Sequence, residues 1–341
     1  MKKNATLKDI AKRVGVSSST VSRALNPETK KLINRDLVKR IVDVALELDY
    51  TANLIAKSLK NGKTYTIGII VPDVVNPIFG EMLDGMIEQL SLLDYKSIII
   101  LSNENNLDFI NTFSTKQVDG LIFANAFIND AGVEYCVNNE IPCVTVGRST
   151  ESNNVNQVCV DNESGIGLAI SHLRYLGHQN IAFISGPKTI SDGYERDSAY
   201  RYWKRYYNLD PNDELTIITN SFTQDEGYTG IKKLFEMERK FSAVVTGSDL
   251  LAIGVLSYFK HHDIRCPQDI SVVGFNGMIY SDVLLTPLTT ITVNRKIMAK
   301  LAVNALMNSV RNINIEPEKH LIKPELIVRE STSVPRRFSM F

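Results

Sequence analysis

The chain has 341 residues, 44% hydrophobic and 22% charged, the balance of a globular chain with room for two or three domains. It holds no apolar run near the roughly 20 residues of a membrane span. No apolar signal stretch follows the charged start at Met1, and its four cysteines show no close pairing. These features exclude a membrane protein, a secreted disulfide scaffold and a disordered chain, and predict a cytoplasmic protein. The net charge of zero conceals a division: residues 1–63 hold 14 Lys and Arg against 6 Asp and Glu, a local +8, and the remaining 278 residues carry −8. A basic head on an acidic body is the pattern of a nucleic-acid-binding module joined to a sensing domain.

In the head, Thr6 can cap a helix that begins at Leu7, with Asp9 placed as in a capping box. Leu7, Ile10, Ala11 and Val14 recur at helical spacing and end at Gly15. Ser17 can cap a second helix from Ser18 to about Leu25, with Val21, Ala24 and Leu25 inward and Ser18, Ser19, Ser22 and Arg23 outward. Asn26-Pro27 stops it. A third helix, over about 35–48, places Val38, Ile41, Val42, Ala45 and Leu48 on one face. Two short helices joined by a Gly-containing turn and braced by a third predict a helix-turn-helix, whose second helix fits the major groove. Ser18 and Ser19 would meet base edges, and Arg23 is the candidate for bidentate contact to guanine. The competing reading is a plain three-helix bundle with solvated serines. Residues 53–60 have helix-forming composition but are too short to be stable alone.

From Tyr65 onward, short β-rich runs at 67–71, 97–101, 120–123, 143–146 and 158–160 alternate with amphipathic stretches such as 78–93. The pattern repeats with runs at 180–184, 215–218, 243–245 and 270–273. Such alternation predicts an α/β fold of parallel sheets with crossover helices, in two lobes with a ligand cleft at the carboxyl ends of the strands. The expected division is 1–50 for the head, 51–63 for hinge and linker, and 64–335 for the body. Asn76-Pro77 reads as N-cap and first helical residue, aiming free N–H groups into that cleft. Asn76, Ile78 and Phe79 are the first-lobe contact candidates. The five histidines lack metal spacing, no nucleophile elbow is present, and Gly165-Ile166-Gly167 reads as helix packing rather than a dinucleotide loop. No catalytic role, cofactor or metal is expected.

The run Thr6-Leu7-Lys8-Asp9-Ile10-Ala11-Lys12-Arg13-Val14-Gly15-Val16-Ser17, followed by Thr20-Val21-Ser22-Arg23-Ala24-Leu25-Asn26, resembles the N-terminus of the lactose-repressor (LacI/GalR) family of bacterial transcription regulators. The resemblance implies a homodimer on palindromic double-stranded operator DNA, with Thr6, Ser17, Ser18, Ser19, Thr20, Ser22, Arg23 and Asn26 at its surface. It also implies that 53–60 is similar to the family's hinge helix, which enters the minor groove. There Leu59 is the apolar wedge, Ala56 allows close pairing, and Asn53, Lys57 and Lys60 are further DNA contacts. Ala52 stands where the family often has proline.

The resemblance continues through Ile67-Gly68-Ile69-Ile70-Val71-Pro72-Asp73, Val118-Asp119-Gly120, Ser248-Asp249 and Val273-Gly274-Phe275 to Pro324-Glu325-Leu326. It implies the architecture of periplasmic sugar-binding proteins, with the chain crossing between lobes near 161, 291 and 322. Arg196 matches the arginine with which the family grips effector hydroxyls, the alternative being a surface salt bridge to Glu195 or Asp197. Asp249 and Asn276 join the same set. Asn276 replaces an aspartate of many sugar-responsive members, which leaves room for an acidic or phosphorylated ligand, the more so if Arg148 and Arg295 lie near the same opening. Residues 103–116 look about one helical turn shorter than is usual in the family, and no heptad near the C-terminus points to a tetramer.

The resulting expectation is a repressor of carbohydrate-utilisation genes, switched by a small sugar or sugar-phosphate effector. The alternatives are a regulator driven by a phosphorylated carrier-protein co-repressor, and a solute-binding or enzymatic α/β protein with an incidental basic head.

Overall fold

The computed structural model describes residues 5–25, 29–50, 63–102, 117–209, 215–313 and 315–335. The chain divides into two units, Met1–Thr64 and Tyr65–Phe341. The first unit holds α1 (Leu7–Val14), α2 (Ser18–Leu25), a 3-10 turn at Lys30–Leu32 and α3 (Arg35–Glu47). The Asp9 carboxylate accepts from the Thr6 N–H at 2.8 Å and from its hydroxyl at 2.7 Å, closing the first turn of α1. Gly15, at φ 79°, ends that helix in the left-handed region that glycine adopts freely. Ser17 Oγ accepts from the Thr20 N–H at 3.1 Å and so caps α2. Ile10, Ala11, Val14, Val21, Ala24, Ile41 and Ala45 form the core. Val42, expected on the inner face of α3, is exposed, while Leu37 and Val44 pack against the core. At about 100° per residue, position 42 turns off the stripe set by 38, 41, 45 and 48.

The second unit opens with β1 (Thr66–Val71), α4 (Pro77–Leu92), β2 (Lys96–Leu101), β3 (Gly120–Phe123), α5 (Ala131–Asn138), β4 (Cys143–Gly147) and β5 (Asn156–Val160). It continues with α6 (Asn162–Tyr175), β6 (Ile181–Ser185), α7 (Ser191–Tyr206), β7 (Thr216–Ile218), α8 (Gln224–Glu236), β8 (Ala243–Thr246), α9 (Asp249–His261) and β9 (Ser271–Asn276). Last come β10 (Thr289–Thr292), α10 (Arg295–Val310), β11 (Lys319–Ile322) and β12 (Glu325–Ile327).

Two sheets result, ordered β11-β5-β4-β3-β1-β2 and β12-β10-β9-β8-β6-β7. All pairings are parallel except β10 with β12. Central strands covered by helices on both faces need apolar side chains on both, hence the unbroken run Ile67–Val71 rather than an alternating one. The chain leaves the first sheet after Val160, returns to it through α10, and ends in the second sheet, so the lobes cross at 161, 293 and 323 as expected. β10, β11 and β12 were not among the predicted strands. Their runs are three or four residues long, and β11 and β12 are half-exposed at sheet edges, so they lack the apolar signal of the central strands. Among the described residues no helix is long and apolar enough to cross a membrane.

Two features fix what surrounds the cleft. On α6, a Cβ at Gly165 would meet the Phe275 ring at 2.7 Å, and one at Gly167 would meet Trp203 at 2.6 Å, so both glycines serve packing. Asp249 opens α9 and is wholly buried. Its carboxylate accepts from the Met278 N–H at 2.6 Å, the Ser281 hydroxyl at 3.0 Å and the Thr290 hydroxyl at 2.5 Å. It thereby ties α9 to the loop after β9 and to β10. Burial outweighs these bonds and the Arg295 charge, and pushes the Asp249 carboxyl up to about 6.

Gly165→Ala is expected to cost about 1–3 kcal/mol in denaturant unfolding, because the Phe275 ring is fully enclosed. Gly167→Ala should cost less, since Trp203 is only half-buried and can tilt outward; equal costs would contradict this assignment. For Asp249 the folded-state value lies above the unfolded one, so the folded chain holds this proton more tightly between about pH 4 and about pH 6. Charged Asp249 therefore destabilises fully above that window and not below it. The Tm of Asp249→Asn minus that of the parent should fall as pH is lowered through the window; a constant gap would contradict it.

Candidate functional site

A cavity of about 570 Å³ opens in the second unit at the carboxyl ends of both sets of parallel strands. The first turns or caps of five helices line it: Asn76, Pro77 and Ile78 of α4, Ile190 and Asp192 of α7, Thr223 of α8, Ser248 of α9, and Arg295 of α10. This convergence follows from the βα order, since each helix begins where its strand ends. Asn76 Oδ1 accepts from the Ile78 N–H at 3.2 Å, the capping expected from Asn76-Pro77. Asp73 Oδ1 holds the preceding turn by accepting from the Val75 and Asn76 N–H groups at 2.9 and 2.7 Å.

Six of the seven predicted effector residues, Asn76, Ile78, Phe79, Arg148, Arg196 and Asn276, line this cavity, from both lobes. Phe79 does so while also packing in the core. Asp249 is the correction: it does not line the cavity, because its carboxylate is committed inside the lobe to Met278, Ser281 and Thr290. Arg295 shares the opening. Asp73, Phe127, Asp192, Asn220 and Phe222 also line it and were missed. Asp192 was findable four residues before Arg196 on one helix face. Phe222 carried no pattern of its own.

Arg196 is 1% exposed, and its partners converge from four directions. Nε donates to Asn162 Oδ1 at 2.8 Å and Nη1 to the Gly247 carbonyl at 2.6 Å, while Nη2 lies 3.3 Å from Asp192 Oδ1 and 3.4 Å from Asn276 Oδ1. The guanidinium carbon sits 3.8 Å from the Phe275 ring centroid. Its ion partner is thus Asp192 rather than Glu195 or Asp197. Burial lowers its pKa, opposed by the Asp192, Glu195 and Asp249 charges. Arg295 pairs with Glu81 at 2.8 Å and donates to the Asn276 carbonyl. Arg148 donates to the Asn125 carbonyl at 3.2 Å, and burial lowers its pKa also. Asn276 stands at φ 102°, a positive-φ conformation that Asn and Asp tolerate better than most residues.

Polar ties also join the lobes across this opening. Ser149 N–H donates to Ser191 Oγ at 2.8 Å, Ser149 Oγ to Glu195 at 3.0 Å, and Ile128 N–H to the Thr189 carbonyl at 3.3 Å. Lys319 Nζ lies 3.6 Å from Glu195.

In the first unit, Ser19, Ser22 and Arg23 are exposed on α2 and Ser18 is half-buried beside them. Ser17 Oγ lies 2.7 Å from Ser19 Oγ and 2.9 Å from Thr20 Oγ1, so these three hydroxyls form one cluster at the start of the helix. Thr6 is exposed and engaged with Asp9. Asn26, Asn53, Ala56, Lys57, Leu59 and Lys60 lie outside the described residues, as does the segment 103–116.

Residues 6–53 match the model of the bacterial regulatory proteins of the lacI family, and 170–332 match that of the periplasmic binding protein-like domain. Catabolite control protein A of Priestia megaterium is 30% identical over 84% of this chain and 87% of its own. The fold is shared with the lac repressor dimer bound to operator and the anti-inducer ONPF, at a TM-score of 0.83 and 20% identity over 97% of this chain and 100% of that one. It is also shared with the regulator CelR in complex with cellobiose, at 0.74 and 23% identity over 96% and 99%. The chain belongs to the lacI family of bacterial regulatory proteins: it is a DNA-binding transcription regulator, not an enzyme, with a helix-turn-helix head and a periplasmic-binding-protein-like body.

Proposed function

We propose that this regulator represses carbohydrate-utilisation genes, binds a palindromic operator as a homodimer, and is switched by a small sugar or sugar-phosphate effector in the cavity of its second unit. The observation that carries the reading is the lining of that cavity. Arginine forks, amide side chains and aromatic faces (Phe79, Phe127, Phe222) are the mixture that orients hydroxyls while covering the apolar face of a ring. The cellobiose bound by the structurally similar CelR supports a carbohydrate, and the name of the Priestia megaterium relative supports catabolic genes.

On the DNA side, Ser18, Ser19 and Arg23 are the base-reading residues of the proposal, with Thr6, Ser17, Thr20, Ser22 and Asn26 positioning the head. Asn53, Ala56, Lys57, Leu59 and Lys60 form the proposed minor-groove hinge. Exposed apolar side chains at Ile98, Ile99 and Leu101 on β2, and at Ile279, Tyr280, Val283 and Leu285, offer surface for a second copy to cover. An effector that binds both lobe closures equally shifts nothing, so the effector must favour one of them.

Selection of a random duplex library by the purified full-length protein should enrich a palindromic consensus, and a panel of sugars and sugar phosphates should contain a member that changes affinity for it. Unchanged operator affinity across the whole panel would refute the effector. Arg23→Ala is expected to relax preference at one base position of each half-site by about 1–3 kcal/mol, leaving the other positions intact. Uniform weakening across all sequences would reassign Arg23 to phosphate contact.

A further inference from the structure

We propose that the effector is an uncharged sugar rather than a phosphorylated or acidic one, and that Asp73 and Asp192 exclude anions from the site. The inference rests on reading the cavity as the effector site, and it comes from the charges on its wall. Three arginines line it, Arg148, Arg196 and Arg295, and two carboxylates, Asp73 and Asp192. Arg196 pairs with Asp192, and Arg295 with Glu81, which does not itself line the opening. Arg148 donates to the Asn125 carbonyl and lies in the field of Asp192 and Asp73, whose charges oppose the lowering of its pKa by burial. Three cations thus face three anions, and none of the arginines is left to seek a counter-ion. What lies behind the wall adds negative charge: Asp249, buried in the second lobe, is ionised above about pH 6 and acts on both Arg196 and Arg295. Asparagine at position 276 therefore keeps the wall from becoming anionic and does not make it cationic.

The hydrogen-bonding capacity left on the wall points the same way. Asp73 uses Oδ1 to accept from the Val75 and Asn76 N–H groups, and Asp192 uses Oδ1 toward Asn162 and Arg196. Oδ2 of each aspartate has no hydrogen bond among the described residues. Donors are unspent on the same wall. They are Nδ2 of Asn76 and of Asn276, whose Oδ1 atoms are taken by the Ile78 N–H and by Arg196, and the remaining N–H groups of Arg148. Asp73, Asn76 and Arg148 belong to the first lobe, Asp192 and Asn276 to the second, so both kinds of free group face the cavity from both sides. A hydroxyl donates and accepts at once and can serve donors and acceptors alike. A phosphate dianion or a carboxylate only accepts. It would leave both aspartate oxygens unmatched and set a like charge against them in a partly desolvated site. Repulsion of the wrong ligand is a source of selectivity in its own right, and two carboxylates facing one cavity from opposite lobes supply it.

The test is calorimetric titration of the full-length protein with matched triples of a sugar, its phosphate and its acid, for example glucose, glucose 6-phosphate and gluconate, over several hexoses and pentoses. In each triple that binds, the neutral member should bind at least about tenfold more tightly than either anion. Asp73→Asn keeps the Oδ1 that holds the turn and removes the charge, so it should narrow that preference by about three- to tenfold. An unchanged Tm of the ligand-free protein shows that the variant folds, and the preference of the parent protein is read in either case. A phosphorylated or acidic member that binds as tightly as its neutral parent, or a preference that is the same in folded Asp73→Asn, overturns the inference and leaves the sugar-effector reading standing. If no member of any triple binds, both fall.

Discussion

The second unit is organised around one buried cation. Removing a guanidinium from water costs several kcal/mol unless its N–H groups find partners and its charge a counter-ion. Arg196 finds them on α6 (Asn162), on α7 (Asp192), after β8 (Gly247) and at the end of β9 (Asn276), with the Phe275 face beneath it. These four places therefore cannot drift apart without exposing an unpaired charge. Gly165 belongs to the same arrangement, because only a residue without a side chain lets the Phe275 ring sit close enough to α6 to support the arginine. Arg196 is thus heavily committed within its own lobe. What it brings to the cavity is partly indirect, through the placement of Asn276 and Asp192 on its wall.

The lobes are joined by three chain crossings, by one buried apolar cluster that draws on both, and by a set of polar ties in which Glu195 takes part. It accepts from Ser149 and Asn162 and faces Lys319. The Lys319 contact is half-exposed, so it contributes little to stability, of order 1 kcal/mol or less for a solvated ion pair. Under the proposed function, these contacts hold one closure without locking it, so that a ligand with a preference of a few kcal/mol can move the population. Arg295 fits the same logic, because it begins a helix packed on the first sheet and reaches the Asn276 carbonyl of the second.

How far the sequence could be read depended on whether a feature was local. Capping by Thr6 with Asp9, by Ser17 and by Asn76, the central strands, and the glycines of α6 as packing residues all rest on near neighbours or on long periodic runs, and all were legible. Val42 was misplaced by a single step of helical rotation. The fate of Asp249 could not be read, because its partners Met278, Ser281 and Thr290 lie 29 to 41 positions away and nothing in their spacing points back to it. The same holds for Phe222, which reaches the cavity only through the fold. Arg196 and Asn276 could be gathered into one region by family resemblance, which left the places of Arg148 and Arg295 open. Which of the arginines is spent depends on hydrogen bonds that only coordinates supply.

The division of charge between head and body bears on the proposed pairing of two copies. One short helix offers three or four side chains to base edges, and a single head of this size reads only a few base pairs. Against the very large number of competing sites in a genome, such a reader would be dominated by its nonspecific attraction to phosphate. A second head on the same duplex turns its binding into an intramolecular step and multiplies discrimination without new chemistry. The acidic body, repelled by DNA, would add no nonspecific affinity to blur that gain. Control then needs no change in either head. Altering the spacing or alignment of the pair is enough to forfeit the intramolecular advantage, and a ligand that favours one closure of the paired bodies is a sufficient means of doing so.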